Sequence, residues 1–447
     1  MTDVRPHILI LCPSMWPRMR SWGETQRMYY LACFLSEHGW KVSTISPGTK
    51  SSKQAEDRPV KYTPCFFGSR PDPEEPKDQQ SGQTAGNMSA ISLFQTVSAP
   101  LTPLVKWFYN EPDCYEGLSK DLWILRYQKK ILGWIADNRV DLVLVSGPAF
   151  TLFRMGKAVK RKFPFLPVLY DYRDPWYLWN LHKGFAYRRE RDYLKYADGI
   201  AGFSRAFTDK MISAFCLPPE RCAAIYNGYS ETDWKAFENS RNAFAPGWES
   251  GPASRLRLAF VGNISLDPFP GNFRNPSELI RVIEKFPEVE CAFIGASGPK
   301  AGTLERNIRY IGKVSQKDSF AWMKSSDVLI SIHLDETDCS GKYLISGKFY
   351  DYMRSGRVMW HIGSGDSLMS RWIAKYGLGI ACPNEPDALY ASLEKLVSVW
   401  RQGKLSSLRS CTMERIRSFS REYHNERYLH FIETIKNCTN EEEQENG

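Results

Sequence analysis

The sequence predicts an α/β protein of two doubly wound parallel-sheet domains. Short β-branched runs alternate with longer stretches of helical spacing, the pattern of βα units. That alternation pauses once, in the polar, Pro- and Gly-containing stretch ENSRNAFAPGWESGPAS at 238–254, and then restarts. The two stretches on either side are each long enough to hold a domain, and a chain of 447 residues buries a sizeable core in each.

In the first half, HILILC (His7–Cys12) reads as a buried strand. Helical spacing of Met28, Leu31, Phe34 and Leu35 predicts a helix over Glu24–His38, stopped by Gly39. Strands follow at Lys41–Ser46, Asp141–Val145, Val168–Asp171 and Gly199–Phe203, with helices at Thr151–Lys162 and Ala186–Tyr196. Residues 49–120 read as an insertion with little periodicity, and within it SLFQTVSAPLTPLVKWFYN is amphipathic and aromatic, suited to covering the core or to touching lipid.

In the second half, strands are predicted at Arg257–Val261, Val289–Ile294, Asp327–Ile332 and Val358–His361, and helices at Ser277–Phe286, Gln316–Lys324 and Gly347–Arg354. The expected domains are 1–240 and 255–411. A last helix over 412–436 is followed by an acidic tail, 437–447, expected to be disordered.

Composition is that of a globular chain, with 43% hydrophobic and 24% charged residues. The net charge of +9 is spread along the length, which does not favour a nucleic-acid partner. Eleven Cys form no C-x-x-C pair and no zinc-spaced cluster, so reduced thiols and a cytoplasmic location are expected. No apolar run reaches the length of a membrane span. Neither G-x-S-x-G nor H-E-x-x-H occurs, which weighs against hydrolase and zinc readings. GASGPKAG at 295–302 lacks the register of a dinucleotide loop.

In doubly wound sheets ligands bind at the carboxyl ends of strands, where helix N-termini offer free N–H groups to anions. Five loops qualify. The first, PSMWPRMRSWGETQR, has Gly23 ahead of the helix, where a missing Cβ admits a ligand to the backbone. SGPAFT is the second, and the third is DYRDPWYLW, with Asp171, Arg173 and Asp174 close together; these form either an ion-pair network or the lining of a cleft. FVGN, followed by FRNPSELI with Arg274, is the fourth. The fifth is SGKFYDYMRSGR, where Gly347 opens a helix carrying Lys348 and, one turn on, Asp351. A cation at a helix start suits a diphosphate, and an acid one turn in suits a ribose diol.

Together these loops resemble the GT-B glycosyltransferases of family 4, in particular the bacterial surface-polysaccharide branch. FLSEHGWKV, VSGPAF, DYRDPW, YADGIAGFS, IYNGYSETDW, RNPSELI, IRYIGKV, SSDVLISI and SGKFYDYMRSGRVMW occur in the family's order over about nine-tenths of the chain. The resemblance implies two Rossmann-like domains facing across a cleft, the first taking the acceptor and the second a nucleoside-diphosphate sugar. It also implies that the last helix crosses back to the first domain. Lys348 and Arg274 would then neutralise the diphosphate, Gly347 would open the anion-binding helix, Asp351 would hold the ribose, the backbone around Gly312 and Val314 would meet the base, and Gly23 would admit the phosphate and sugar. Asp171, Arg173 and Asp174 would line the reacting end.

The family transfers sugar with retention and without a bound metal, and no D-x-D motif stands in a suitable loop here. Two positions depart from the family pattern. Tyr343 stands where many relatives have the first of two Glu, with Asp335, Glu336 and Asp338 as candidate replacements, and Arg173 stands where many have His. The acceptor is expected to be a glycan, a lipid-linked sugar or a small molecule, with peripheral membrane contact through the basic residues Lys160, Arg161 and Lys162. Rival readings are transfer to a thiol or specialised metabolite, and an inactive scaffold that binds nucleotide or glycan.

Overall fold

A computed structural model of the chain describes residues 5–19, 22–47, 58–67, 114–179, 183–240, 247–248, 255–265, 274–297, 303–334 and 339–446. The chain divides into two compact units. One holds residues 1–203, 208–223 and 429–447, the other 204–207 and 224–428.

Unit 1 is built on a seven-stranded sheet in the order β3-β2-β1-β4-β5-β6-β7. The strands are β1 (His7–Leu11), β2 (Lys41–Pro47), β3 (Thr63–Phe67), β4 (Leu142–Gly147), β5 (Val168–Tyr172), β6 (Gly199–Gly202) and β7 (Cys222–Ala224). Pairing from β3 through β6 is parallel throughout. β1, β4 and β5 are buried along their whole lengths, as apolar runs covered on both faces should be. The helices are α1 (Trp22–Glu37), α2 (Cys114–Asp137), α3 (Phe153–Lys162), α4 (Lys183–Leu194) and α5 (Arg205–Phe215).

The stretch 49–120 departs from its sequence reading. It contains β3, and α2 begins within it. TPCFF shows no alternation and carries Pro64, which a sheet accepts at an edge, where β3 lies. The segment SLFQTVSAPLTPLVKWFYN lies outside the described residues, as do Asp335, Glu336 and Asp338.

Unit 2 repeats the plan. Its helices are α6 (Glu231–Glu238), α7 (Ser277–Ile283), α8 (Gln316–Ser325), α9 (Gly347–Ser355), α10 (Leu368–Tyr376) and α11 (Pro386–Arg401). Its strands are β8 (Leu256–Ser265), β9 (Val289–Ser297), β10 (Leu304–Glu305), β11 (Ile308–Ile311), β12 (Val328–His333), β13 (Val358–Gly363) and β14 (Gly379–Cys382). They run in the order β10-β11-β9-β8-β12-β13-β14, parallel except for the antiparallel β10 edge. Both faces carry apolar clusters, one around Leu258, Phe293 and Trp360, the other around Trp234, Phe320 and Tyr350.

The end of the chain differs from the single helix expected over 412–436. A short helix, α12 (Met413–Ile416), and a 3-10 turn (Arg417–Phe419) precede α13 (Arg421–Asn446). The residues expected to be a disordered tail continue α13, since Glu and Gln are good helix formers. From Leu429 onward the chain belongs to unit 1, where Ile435 is buried and Lys436 lies over the Trp40 ring at 5.7 Å.

In unit 2, Gly228 of the NGY triplet has φ +67°, and a Cβ there would stand 2.7 Å from the backbone nitrogen of Arg421. Tyr229 pairs with the same segment, Arg421 N donating to its carbonyl at 2.7 Å. Replacing Gly228 by Ala therefore costs both a left-handed residue and a backbone collision. We expect Gly228→Ala to lower the unfolding free energy by roughly 2 kcal/mol or more in urea titrations; an unchanged midpoint contradicts this.

Candidate functional site

Both sheets reverse strand order beside their first strand, at β1/β4 and at β8/β12, the topological switch points where doubly wound sheets bind ligands. The residues singled out in the sequence fall at both places. They form two separate groups, one in each unit.

In unit 1, Asp171 ends β5 with no exposed surface. Its Oδ1 accepts from Arg27 Nε at 3.0 Å and Nη2 at 2.8 Å, and its Oδ2 from Ser146 Oγ at 2.8 Å. Arg27 is itself 7% exposed. The carboxylate thus ties α1, β4 and β5 together, as in the ion-pair network that the sequence left open. Buried without a counter-ion it would be costly, and the bidentate arginine offsets that cost.

Arg173 is engaged in a similar way. Its Nε donates to the carbonyl of Gly147 at 3.2 Å, its Nη1 to that of Glu24 and its Nη2 to that of Pro148. Those bonds fix the SGPAF loop against the first turn of α1. Asp174 follows, half-buried. The DYRDPWYLW segment is held by Glu190 on α4, whose Oε2 accepts the Tyr177 N–H at 3.0 Å; burial pushes this carboxyl up to about 8. Gly23 lies inside the first turn of α1, not before it, and no described atom lies within 4 Å of where its Cβ would stand. Packing gives no reason for glycine there.

The basic helix read as a membrane-contact surface is partly neutralised. Lys157 pairs with Asp192 at 2.6 Å, Lys160 with Asp198 at 2.8 Å and Arg154 with Asp121 at 3.6 Å, while Arg161 and Lys162 are exposed. Among the described residues no helix is long and apolar enough to cross a membrane, and no group of His, Cys, Asp and Glu is arranged to hold a metal ion.

In unit 2 the geometry centres on α9. Three helices of this unit are capped by their serines: Ser230 accepts from Asp233 N, Ser315 from Asp318 N and Ser367 from Ser370 N. Ser346, at the start of α9, makes no such bond. The next residues are Gly347 and then Lys348. Lys348 is half-buried, and no carboxylate lies within ion-pair distance of its Nζ among the described residues. Burial, with help from the nearby charge of Arg274, lowers its ammonium to about 8 against the pull of Asp351.

Asp351 is one turn along the helix. Burial pushes its carboxyl up to about 6, opposed by a hydrogen bond from Trp234 Nε1 to Oδ1 at 3.2 Å and by the charges of Arg421 and Lys348. Trp234 has no exposed surface and stacks on Phe320 at 4.1 Å. Its helix, α6, is locked to α9 by Arg354, which donates to Glu231 at 2.7 and 3.0 Å and to Glu238 at 3.0 and 3.1 Å. Sequence reasoning quoted this tryptophan within IYNGYSETDW but gave it no role, since its partner lies 117 residues away.

The remaining candidates of this unit surround the end of β8. Arg274 Nη1 donates to the Asn263 carbonyl at 3.3 Å. A Cβ on Gly262 would stand 3.2 Å from Lys348 Cδ, so the lysine stem lies along this glycine. Gly295, set aside in the sequence as a weak dinucleotide signal, has φ +91° and packs on the Gly262 carbonyl, where a Cβ would come within 2.3 Å. Gly312 accepts the Gly295 N–H at 3.1 Å and has open space where its Cβ would stand, and Val314 is half-buried against the apolar cluster of this face. The structure therefore brings Lys348, Asp351 and Arg274 to one end of the sheet. Tyr343, at the departing family position, offers its carbonyl to Ser204 Oγ at 2.7 Å.

No family model matches the chain, and no curated protein matches it in sequence. Solved structures do match in fold. The chain is similar to a glycosyltransferase from Rickettsia africae ESF-5, with TM-score 0.59 and 12% identity over 97% of this chain and 99% of that one. It is similar also to the α,α-trehalose-phosphate synthase (UDP-forming) of Burkholderia xenovorans in complex with glucose-6-phosphate, with TM-score 0.59 and 12% identity over 95% and 99%. A third likeness is to the N-terminal domain of Candida albicans trehalose-6-phosphate phosphatase, with TM-score 0.60 and 12% identity over 97% and 98%. At these identities the likeness establishes the fold: two Rossmann-like α/β domains of the GT-B kind, as the sequence predicts.

The role of Asp171 as a structural anchor has a direct check. Asp171→Asn leaves the Arg27 guanidinium buried beside a neutral amide, and we expect a loss of about 3 kcal/mol in denaturant unfolding. A loss below about 1 kcal/mol would mean that the pair contributes no more than an exposed one.

Proposed function

We propose that this protein is a glycosyltransferase that binds a nucleoside-diphosphate sugar through unit 2. The observation that carries the reading is Lys348. A half-buried ammonium with no ion-pair partner among the described residues sits on the first turn of a helix whose N-terminal serine leaves the turn uncapped, with a second cation, Arg274, near enough to depress it. Three sources of positive potential, with no carboxylate among the described residues in ion-pair contact with the ammonium, suit a dianion, and a diphosphate fits that charge.

The other roles follow from chemistry at the same end of the sheet. Asp351, held by Trp234, accepts hydrogen bonds from a ribose diol when ionised. The Gly312–Val314 backbone receives the base. Gly23, with open space where its Cβ would stand, leaves the backbone of α1 in unit 1 open to a phosphate or sugar. Arg173 shapes the SGPAF loop through its three carbonyl contacts, and Asp174 is the acid of DYRDPW assigned to the reacting end.

In the retaining scheme implied by the family 4 resemblance, the leaving phosphate oxygen takes the acceptor's proton. The chain's residues then act by positioning and by stabilising charge on the departing diphosphate. The acceptor we propose is a glycan or lipid-linked sugar of surface polysaccharide assembly.

The test is a thermal-shift panel of UDP, GDP, ADP and CMP with their sugars, followed by assay of nucleoside diphosphate release with glycan acceptors. A ligand at 100 times its dissociation constant stabilises the fold by about 2.7 kcal/mol. Lys348→Ala should abolish the response to the diphosphate that works best; full retention of affinity would remove the assignment. Binding without release of nucleoside diphosphate under any acceptor would mark a scaffold.

The pH profile is a second check, and a nucleotide sugar suits it because its diphosphate diester does not titrate near neutrality. Affinity should fall as pH rises through about 8, where Lys348 loses its proton, and as pH falls through about 6, where Asp351 gains one. Isothermal titration across pH 5–9 should give a bell-shaped curve, and a flat profile would exclude both groups.

A further inference from the structure

β8 and β9 remain paired from Leu256 to Ser265, with a register shift between Val261 and Ile264. On its other side β8 pairs with β12 only through Leu258 and Ala259. The ladder toward β12 has thus ended before Val261. Main-chain groups released from a sheet in a buried place need partners. Tyr352 supplies both: its phenol oxygen accepts the Val261 N–H at 2.7 Å and donates to the Val261 carbonyl at 3.2 Å. The side chain is 2% exposed, and burial raises its phenol far above the ordinary range, so it stays a neutral donor and acceptor.

The residues next to this contact are the ones that carry the cations. Tyr352 lies four residues after Lys348, one turn along the same face of α9. Val261 is followed by Gly262, against which the Lys348 stem packs, and by Asn263, whose carbonyl holds Arg274. One hydroxyl therefore joins the helix that bears Lys348 to the strand end that anchors Arg274.

We infer that Tyr352 is a positioning residue for diphosphate binding, its hydroxyl setting the separation of Lys348 and Arg274 by pinning α9 to the end of β8. This rests on the proposed donor reading. Phenylalanine at this position fills the same space and loses only the two hydrogen bonds, so the strand end is freed to shift while the core remains packed.

The experiment compares binding of the best nucleoside diphosphate and of its parent nucleoside, by isothermal titration, to the wild type, Tyr352→Phe, Gly262→Ala and Val282→Ala. Gly262→Ala reaches the same spacing without touching Tyr352, because its new methyl would stand 3.2 Å from Lys348 Cδ. Val282→Ala thins the apolar cluster on the other face of the sheet and serves as a control for general destabilisation.

Tyr352→Phe and Gly262→Ala should each weaken the diphosphate about tenfold while leaving the nucleoside unchanged, and Val282→Ala should change neither. Unaltered diphosphate affinity in Tyr352→Phe overturns the inference, as does an equal loss in Val282→Ala. Should Tyr352→Phe fail to fold, unaltered diphosphate affinity in Gly262→Ala overturns the inference, since the spacing that Tyr352 is inferred to set would not govern binding. A wild type that binds no nucleoside diphosphate overturns both this inference and the donor reading. A wild type that binds one, and loses it in Lys348→Ala but not in Tyr352→Phe, overturns this inference only.

Discussion

Lys348 carries its charge where the surroundings disfavour it, and the rest of unit 2 is arranged so that it can. An ammonium taken partly out of water loses hydration, and among the described residues no carboxylate forms an ion pair in return. Asp351 offsets part of the penalty from one turn away, yet it is itself pushed toward protonation by burial. The two groups therefore hold each other ionised only weakly. A ligand that brings negative charge to the lysine lowers the free energy of the whole cluster, and by linkage the folded unit is more stable with the anion than without it.

Such a cluster needs a rigid frame, because a lysine stem is flexible and would otherwise turn to water. The frame is supplied by groups with no charge to offer a ligand. Trp234 holds Asp351, Arg354 fastens α6 to α9 through two glutamates, and Tyr352 fastens α9 to β8. Gly295 lets its backbone approach the Gly262 carbonyl more closely than any Cβ would permit, and at Gly262 the lysine stem lies where a Cβ would make a tight contact. Arg354 and Lys348 lie six positions apart on one helix, and their treatment is opposite: the first is neutralised twice over, and the second has no ion-pair partner among the described residues.

The sequence made the sheets legible wherever strands are buried runs, since HILIL, LVLVSG and VLISIH read directly as parallel-sheet cores. Edge strands and short strands were harder. TPCFF carries a proline and little alternation, and β11 and β14 are four residues each, with too few apolar positions to show a period. Of the site, the residues within one short motif were legible, because Lys348 and Asp351 share a helix face by spacing alone. Residues joined across the chain were not: Asp171 belongs with Arg27, 144 positions away, and Trp234 with Asp351, 117 away. Three charged residues in DYRDPW look like reactive chemistry in a string of letters. The partners that turn Asp171 and Arg173 into struts lie in other elements.

The two units share their strand order around the switch point, β2-β1-β4-β5 in one and β9-β8-β12-β13 in the other, so equivalent positions there can be compared. The helix between β12 and β13 is α9, and its counterpart between β4 and β5 is α3. Each has a basic residue in second place, Lys348 in one and Arg154 in the other. Arg154 is 39% exposed and faces Asp121 at 3.6 Å, and the loop before its helix has carbonyls taken up by Arg173. Lys348 has neither relief. Topology alone would give both units the same opportunity to bind an anion at a helix start. What separates them among the described residues is where the carboxylates stand: in unit 1 Asp121 lies beside the cation, and in unit 2 Asp351 lies a turn away. Affinity for an anion is thus a property of the missing partner as much as of the lysine.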